Sequence, residues 1–464
     1  MSLMKWLNRR LCFLKIFTKR SLHAKESKNN EAGKFKASIQ KLPRNFQEVL
    51  ERYRNPETGQ IAVTPIVNAL RENGLFSLDD PRLRPFFKKL SLDEMELSND
   101  DYAAKEQFSK SRFMEVDTFI QSIERGYGLV TRALRGELTI PNWQKFTEAI
   151  GRIFTYGKKF DQGQVATYIP QLARIDPKKW AVSICTIDGQ TESWGDFRDP
   201  FCMQSVSKPF TYAIAIEQLG ADYVHSFVGQ EPSGRLFNEI CLNNVFKPHN
   251  PMINAGAIVV ASLLYQKEVL STRFEYSLRE FDRFAGGGRI SFNNAVFLSE
   301  RETADRNYAL AYYMREHKCY PEKTNIREAL DLYFQLCSVS TTTNSLAVMA
   351  ATLANGGICP LTKDRVVCTI AVRDTLSLML SCGMYDYSGQ HAFKVGLPAK
   401  SGVSGAMIIV IPNLMGIALY SPPLDMLGNP VRGVKFAEKL VEEFKFHQYD
   451  SLVSSDCEKI DPRI

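Results

Sequence analysis

Two apolar runs near the end of the chain, 406–411 and 414–420, flank Pro412-Asn413 and read as the paired strands of a hairpin. A further strand signal lies far upstream. Residues 180–187 (Trp-Ala-Val-Ser-Ile-Cys-Thr-Ile) alternate in the manner of a strand, and Asp188-Gly189 follows as a hairpin turn. Between these two regions the pattern is helical, at 208–219, 255–265, 305–314 and 346–354, and an amphipathic helix closes the region at 430–444. Strands at both ends with helices between them predict an antiparallel sheet with a helical insertion, an α/β (α+β) class. No internal repeat is present.

At 464 residues the chain is long enough for a large domain and a smaller partner. With 44% hydrophobic and 23% charged residues it can bury a sizeable core, so neither disorder nor a disulfide scaffold is needed. The formal charge of +7 is confined to the first 25 residues, which hold seven Lys or Arg and no acid. The rest is balanced at 51 basic and 51 acidic residues, which argues against a general surface for nucleic acid. The leader, residues 1–25, places Leu7, Leu11 and Leu14 on one helical face among its cations and reads as a mitochondrial transit peptide. The expected location is the mitochondrial matrix, or the cytoplasm if the leader is not used. No segment reaches ~18 uninterrupted apolar residues, so no transmembrane span is expected. Ten cysteines are scattered singly without a C-x-x-C pair, and the six histidines form no ligand-like spacing. A reducing compartment and no metal site follow.

Residues 26–44 form a polar linker, and 45–154 form a helical domain broken by turn signals at Asn55-Pro56, Gly74, Asp80-Pro81 and Gly136. Two stretches there have the frame of a calcium-binding helix–loop–helix, Gly59 with Ile61 and Gly136 with Leu138. The ligand offsets hold Arg54, Pro56, Thr58 and Pro65 in the first, and Thr131, Ala133, Arg135 and Asn142 in the second. Neither set supplies the oxygens calcium needs. An EF-hand-like fold without its metal is the expectation. A larger domain spans 160–445, and 446–464 is a tail.

The chemistry lies in the larger domain. Ser205 and Lys208 stand three apart where the chain enters a helical run, so the amine can reach the hydroxyl. A buried lysine with a lowered pKa can act as a base, and the helix start can stabilise an oxyanion. That spacing alone is weak, because it recurs at Ser2/Lys5 and Ser38/Lys41. Lys400-Ser401-Gly402 ahead of the terminal hairpin strengthens it, matching the K-[ST]-G element of penicillin-recognising serine enzymes in the same chain order. Asn254 sits where a tight loop enters a helix and also reads as a helix cap. Glu300 and Asn307 are two turns apart and would share a face of one continuous helix. Tyr333 and Tyr385 read more readily as core aromatics than as catalytic groups.

Read together, several motifs resemble the glutaminase family. They are Gln204-Ser205-x-x-Lys208-Pro209, Glu231-Pro232-Ser233-Gly234, Lys247-Pro248-His249-Asn250-Pro251, Asn254-Ala255-Gly256-Ala257, Ser299-Glu300-Arg301-Glu302, the stretch 350–357 and Cys382-Gly383-Met384-Tyr385-Asp386. The similarity runs over about 163–444, and the leader and helical region are similar to the animal mitochondrial, phosphate-activated kidney/liver-type branch. The resemblance implies a serine-dependent, β-lactamase-like fold that hydrolyses L-glutamine to L-glutamate and ammonia. It implies Ser205 as nucleophile, Lys208 as its base and Tyr385 as an aid to proton transfer. Tyr168, Asn254, Glu300, Asn307, Tyr333 and Tyr385 would hold the substrate, and the N–H groups of Ser205 and Val403 would form the oxyanion hole.

No cofactor is implied beyond inorganic phosphate as activator. The partners implied are L-glutamine and copies of the chain in a homotetramer. A mobile loop is expected at about 229–244, where this chain has Arg235-Leu236-Phe237 and Cys241 in place of the mammalian Leu-Arg-Phe and a later Phe. Ankyrin repeats carried by some relatives are not expected. Two other readings compete: a β-lactamase or D-alanyl peptidase of the same fold, and a catalytically inactive oligomeric scaffold. Glu300 and Asn307 argue against the first, and intact Ser205, Lys208 and Tyr385 against the second.

Overall fold

The computed structural model describes residues 40, 42–77, 80–90, 112–234, 239–450 and 458–464. The leader, most of the linker and Arg235-Leu236-Phe237 lie outside them. The chain divides into two compact units, Met1–Leu138 and Thr139–Ile464.

The first unit is helical. Its described elements are α1 (Arg44–Tyr53), β1 (Ile61–Ala62), α2 (Val63–Glu72), α3 (Arg84–Lys89), β2 (Phe113–Met114), α4 (Val116–Ser122) and α5 (Tyr127–Arg135). The apolar stripes of these helices meet in a core that includes Phe46, Leu50, Ile66, Leu70, Phe86 and Phe119. The frame at Gly59 is realised: Gly59 takes φ +73, and Ile61 starts the strand that pairs with Met114. The frame at Gly136 is not. Gly136 takes φ +70 as the left-handed stop of α5, with Glu137 N–H bonded to the Arg132 carbonyl. The partner of β1 is therefore Phe113–Met114. A glycine two residues before an aliphatic marks any left-handed turn ahead of a buried side chain, and a helix stop satisfies it as well as a loop does.

The second unit starts earlier than expected. Helix α6 (Trp143–Gly157), assigned from sequence to the N-terminal helical domain, belongs to Thr139–Ile464. Its Trp143, Phe146, Ile150 and Ile153 pack with the sheet and with the closing helix, which sequence proximity to the preceding helices conceals.

The principal sheet has five strands, all antiparallel, in the order β4-β3-β10-β9-β8. They are β3 (Ala181–Thr186), β4 (Thr191–Gly195), β8 (Ala399–Ser401), β9 (Ala406–Ile411) and β10 (Met415–Tyr420). Side chains alternate between faces along a strand. On β9, Met407, Ile409 and Ile411 enter one core, while Ala406, Ile408 and Val410 enter the other. Both faces are thus buried, which is why β9 and β10 read as continuous apolar runs. One face carries α6 and the closing helix, and the other carries α13 (Thr343–Ala354). Ala347, Ala350 and Ala351 let α13 approach closely, and a Cβ on Gly416 of β10 would lie 2.1 Å from Ala351 N.

The sequence pattern did not reveal a second, three-stranded sheet. It consists of β5 (Phe201–Cys202), β6 (Ile290–Phe292) and β7 (Val339–Thr341), in the order β5-β7-β6. Phe201 stacks on Tyr420 with centroids 4.3 Å apart, tying the small sheet to the large one. The helical insertion comprises α7 (Ser207–Leu219), α8 (Asn254–Leu263), α9 (Leu270–Phe284), α10 (Asn294–Glu302), α11 (Asp305–Glu316), α12 (Ile326–Cys337), α13 and α14 (Thr369–Cys382). Helices α15 (Ser388–Lys394) and α16 (Val431–Glu443) follow. Among the described residues no helix is long and apolar enough to cross a membrane.

Candidate active site

Ser205 is delivered by the small sheet. Phe201 and Cys202 pair with Thr341 and Ser340, and Met203 N–H donates to the Val339 carbonyl at 2.8 Å. The chain then makes a 3₁₀ turn, Gln204–Val206, and continues directly into α7. Gln204 has φ +49, an arrangement that costs a non-glycine residue of order 1–3 kcal/mol and persists where surroundings over-determine it. Its own side chain supplies that restraint, because Gln204 Nε2 donates to Glu300 Oε1 at 2.8 Å. Sequence reasoning gave Gln204 no role. Its place beside Ser205 was the available signal, but its backbone conformation cannot be read from residue type.

Lys208, in the first turn of α7, places Nζ 2.6 Å from Ser205 Oγ and 3.2 Å from Asn254 Oδ1. It also lies 5.5 Å from the ring centroid of Tyr333. The lysine is 3% exposed, and burial pulls its pKa below the ordinary amine value, with Cys337 and Glu300 acting in the opposite direction. A neutral amine next to a serine hydroxyl is the arrangement a general base requires.

Asn254 is the first residue of α8 and caps nothing; the N-cap position is Ile253, without a side-chain bond. Its amide instead bridges Lys208 and Asn307, donating from Nδ2 to Asn307 Oδ1 at 3.3 Å. Glu300 and Asn307 do not share one helix. The chain breaks at Thr303-Ala304, with Thr303 bonding back to the Ser299 carbonyl, so Glu300 is on α10 and Asn307 on α11. Two helix segments converge on the site where one continuous helix was expected.

Glu300 is 8% exposed and accepts from Tyr168 Oη at 2.6 Å as well as from Gln204. Burial raises its carboxyl pKa, while the Tyr168 and Gln204 hydrogen bonds and the Lys208 charge lower it. Tyr168 holds a half-exposed ring at the rim with its hydroxyl turned onto the carboxylate. Tyr333 is buried beneath Lys208 on α12. Cys202 and Cys337 flank these groups, and burial pushes each thiol up to about 11. They stay protonated at neutral pH and leave the serine as the nucleophile.

The third wall comes from β8 and the turn Tyr385–Tyr387. Tyr385 has φ +52 and is 9% exposed. Burial pushes its phenol up to about 12, opposed by hydrogen bonding to Ser205 and Ser401. A Cβ on Gly402 would lie 2.9 Å from the Met203 carbonyl and 3.4 Å from Ser205 N, so only glycine lets β8 end against the nucleophile turn. Val403 follows it and packs beside Ile169, Leu172, Cys202 and Val296. A cavity of about 310 Å³ opens onto Tyr385, lined in part by Ser233, Met252, Ile253 and Cys382.

Lys400 of the K-S-G strand is fully buried, with Nζ 4.4 Å above the Tyr385 ring and 2.8 Å from the Ser401 carbonyl. Burial first, then the Lys208 charge, hold its pKa well below the ordinary value. A desolvated cation–π contact contributes about 2 kcal/mol, whereas burying an ion costs several kcal/mol. Burial outweighs the ring contact, and the balance shifts toward the uncharged amine.

The residues named from sequence lie in the second unit, where Lys208 links Ser205 to Asn254 and Asn307, and Glu300 links Tyr168 to Gln204. The site has a buried nucleophile–amine pair, one carboxylate, neutral amide and phenol groups, and an adjoining cavity. That set suits transfer of an acyl group from a small zwitterion to the serine.

Comparison with known proteins bears on this geometry. A model of the family Glutaminase matches residues 163–449, and an EF-hand domain model matches 47–141. The chain is 56% identical over 418 residues to "Putative glutaminase 3" of Caenorhabditis elegans, covering 90% of this chain and 70% of that protein. It is 49% identical over 404 residues to the mitochondrial liver isoform of glutaminase from Rattus norvegicus, covering 87% of this chain and 65% of the rat protein. Among solved structures, the probable glutaminase ybaS superposes with a TM-score of 0.62 at 37% identity, covering 64% of this chain and 96% of that one.

Proposed function

This chain belongs to the glutaminase family, and on that premise we propose that it hydrolyses the side-chain amide of L-glutamine to L-glutamate and ammonia through a Ser205 acyl-enzyme. The observation that carries the reading is the 2.6 Å approach of Lys208 Nζ to Ser205 Oγ inside a buried site. The neutral Lys208 takes the hydroxyl proton as Ser205 attacks the amide carbon. The backbone N–H groups of Ser205 and Val403 receive the oxyanion, and Tyr385 relays a proton to the departing ammonia. Water then cleaves the ester by the same steps in reverse.

Glu300 pairs with the substrate α-ammonium, while Asn254, Asn307, Tyr333 and Tyr168 hold the free amino-acid end. This lining favours a free amino acid over a β-lactam or peptide substrate. The decisive experiment is ammonia release from L-glutamine by the native protein and by Ser205→Ala, beside a chromogenic β-lactam. Turnover of glutamine by the native protein alone supports the reading. Near-native turnover by Ser205→Ala, or β-lactam cleavage without glutaminase activity, sinks it.

Three further features are proposed on the same family basis. Residues 1–25 direct the protein to mitochondria, which import of a fusion bearing them tests. Inorganic phosphate activates the enzyme, and the active form is a homotetramer. The ammonia assay with and without phosphate, run beside sedimentation velocity, tests both.

A further inference from the structure

Tyr385 holds its phenol at the nucleophile from an unfavourable backbone conformation, and three sets of contacts restrain it. Ser388 Oγ donates to the Tyr385 carbonyl at 2.6 Å and accepts from Met384 N–H at 3.0 Å. Buried Asn429 accepts from Ser401 Oγ at 2.6 Å and donates to the Met384 carbonyl at 3.2 Å, stitching the K-S-G strand to the turn. The third contact is Lys400, whose amine sits over the ring face and donates to the Ser401 carbonyl. The first two sets grip the backbone, and Lys400 packs against the ring face.

We propose that Lys400 is a positioning residue for the amide hydrolysis proposed above, on which this inference rests: its side chain, packed on the Tyr385 ring and tied to the Ser401 carbonyl, aims the phenol at Ser205. The amine does this uncharged. The titratable groups that act on it are Lys208 from α7, Cys337 from α12, Cys382 from α14 and the Tyr385 ring itself. An ammonium here would face the Lys208 amine, with no carboxylate among the described groups that act on it. Neutral, the amine has one N–H for the Ser401 carbonyl and another for the electron-rich ring face, which a hydrocarbon side chain of the same length lacks.

A double-mutant cycle tests this by ammonia release from L-glutamine. Lys400→Met is expected to lower kcat about 10–100-fold with KM within about threefold. In a Tyr385→Phe background the same substitution should change kcat by less than about threefold, because the hydroxyl it aims is already gone. The acid limb of the kcat/KM profile should not move, since no charge is removed. Equal losses in both backgrounds, a loss confined to KM, or a displaced acid limb would each overturn the proposal. Thermal unfolding shows whether Lys400→Met is folded; if it is not, Lys400→Leu, which also lacks an N–H donor, goes through the same cycle with the same criteria. A native enzyme that releases no ammonia from glutamine refutes the hydrolysis itself, whereas an active native enzyme with additive variants refutes only the role of Lys400.

Discussion

Gln204 Nε2 donates to Glu300 Oε1 at 2.8 Å, joining the residue before the nucleophile to a carboxylate 96 positions later in the chain. One bond therefore restrains the left-handed backbone at Gln204 and orients the group proposed to receive the substrate ammonium. Replacing Gln204 with Leu leaves a buried carboxylate oxygen short of a donor and frees the turn that carries Ser205. The expected result is a fall in kcat/KM of about 10–100-fold. Glu300→Gln removes the charge partner itself, and its loss should exceed about 100-fold. A change below threefold in steady-state ammonia release would take Glu300 out of the site.

Lys208 fixes the pH dependence. Its pKa lies below the ordinary amine value, and the base is active when deprotonated, so kcat/KM should rise with pH through that pKa and then level off. Glu300 acts on Lys208 in the direction that keeps it protonated. Neutralising that carboxylate as Glu300→Gln should move the acid limb to lower pH even as the maximal rate falls. Lys208→Arg, with a guanidinium that stays charged, should lose about 10²–10⁴-fold in kcat while circular dichroism remains native. An unmoved acid limb in Glu300→Gln would show that the limb reports another group.

The residues that declared themselves in the sequence are those whose chemistry is local. Ser205 and Lys208 meet within one turn of chain, and β9 and β10 are legible because burial on both faces makes them uninterrupted apolar runs. The three-stranded sheet escaped notice because β5 and β7 are two and three residues long, too short for a period to show. Glu300 and Asn307 were expected on one continuous helix, which the structure does not have. Their spacing allowed a single helix, but Ala304 leaves the helical conformation and the two residues converge from separate helices. Helix α6 was assigned to the wrong unit because its amphipathic stripe shows that it packs, not on what.

Close helix-on-sheet packing makes a stability prediction at Gly416. A methyl group there would stand 2.1 Å from Ala351 N and 2.4 Å from the Ala350 carbonyl carbon, both backbone atoms of α13. Neither can step aside without moving the helix off the sheet. Gly416→Ala should cost about 1–3 kcal/mol or more, and the thermal midpoint should drop by about 2–4 °C for each kcal/mol. Calorimetry at fixed protein concentration measures this, and an unchanged midpoint would mean that α13 is not seated as described.

His391 should make the protein acid-labile through a group remote from the chemistry of Ser205. The imidazole is 0% exposed and both ring nitrogens lack a hydrogen-bond partner among the described residues. Burial pushes its pKa down to about 4, opposed by the Leu397 backbone and the Glu438 carboxylate. The unfolded chain returns it to about 6.5, so between these values the unfolded state binds more protons than the native one. Stability from this group is thus complete above about pH 6.5 and is lost as the pH falls toward 4, by up to on the order of 3 kcal/mol. Glu438, whose pKa is lowered by Lys435, Tyr387 and Lys394 despite its burial, would act in the same direction. Its window lies below the ordinary glutamate value of about 4.3, outside the range from pH 5 to 7. His391→Phe removes the titration and keeps an aromatic ring at the position. Between pH 7.5 and pH 5 the thermal midpoint of the native protein should therefore fall further than that of His391→Phe, and equal falls would show that His391 already carries its proton in the folded state.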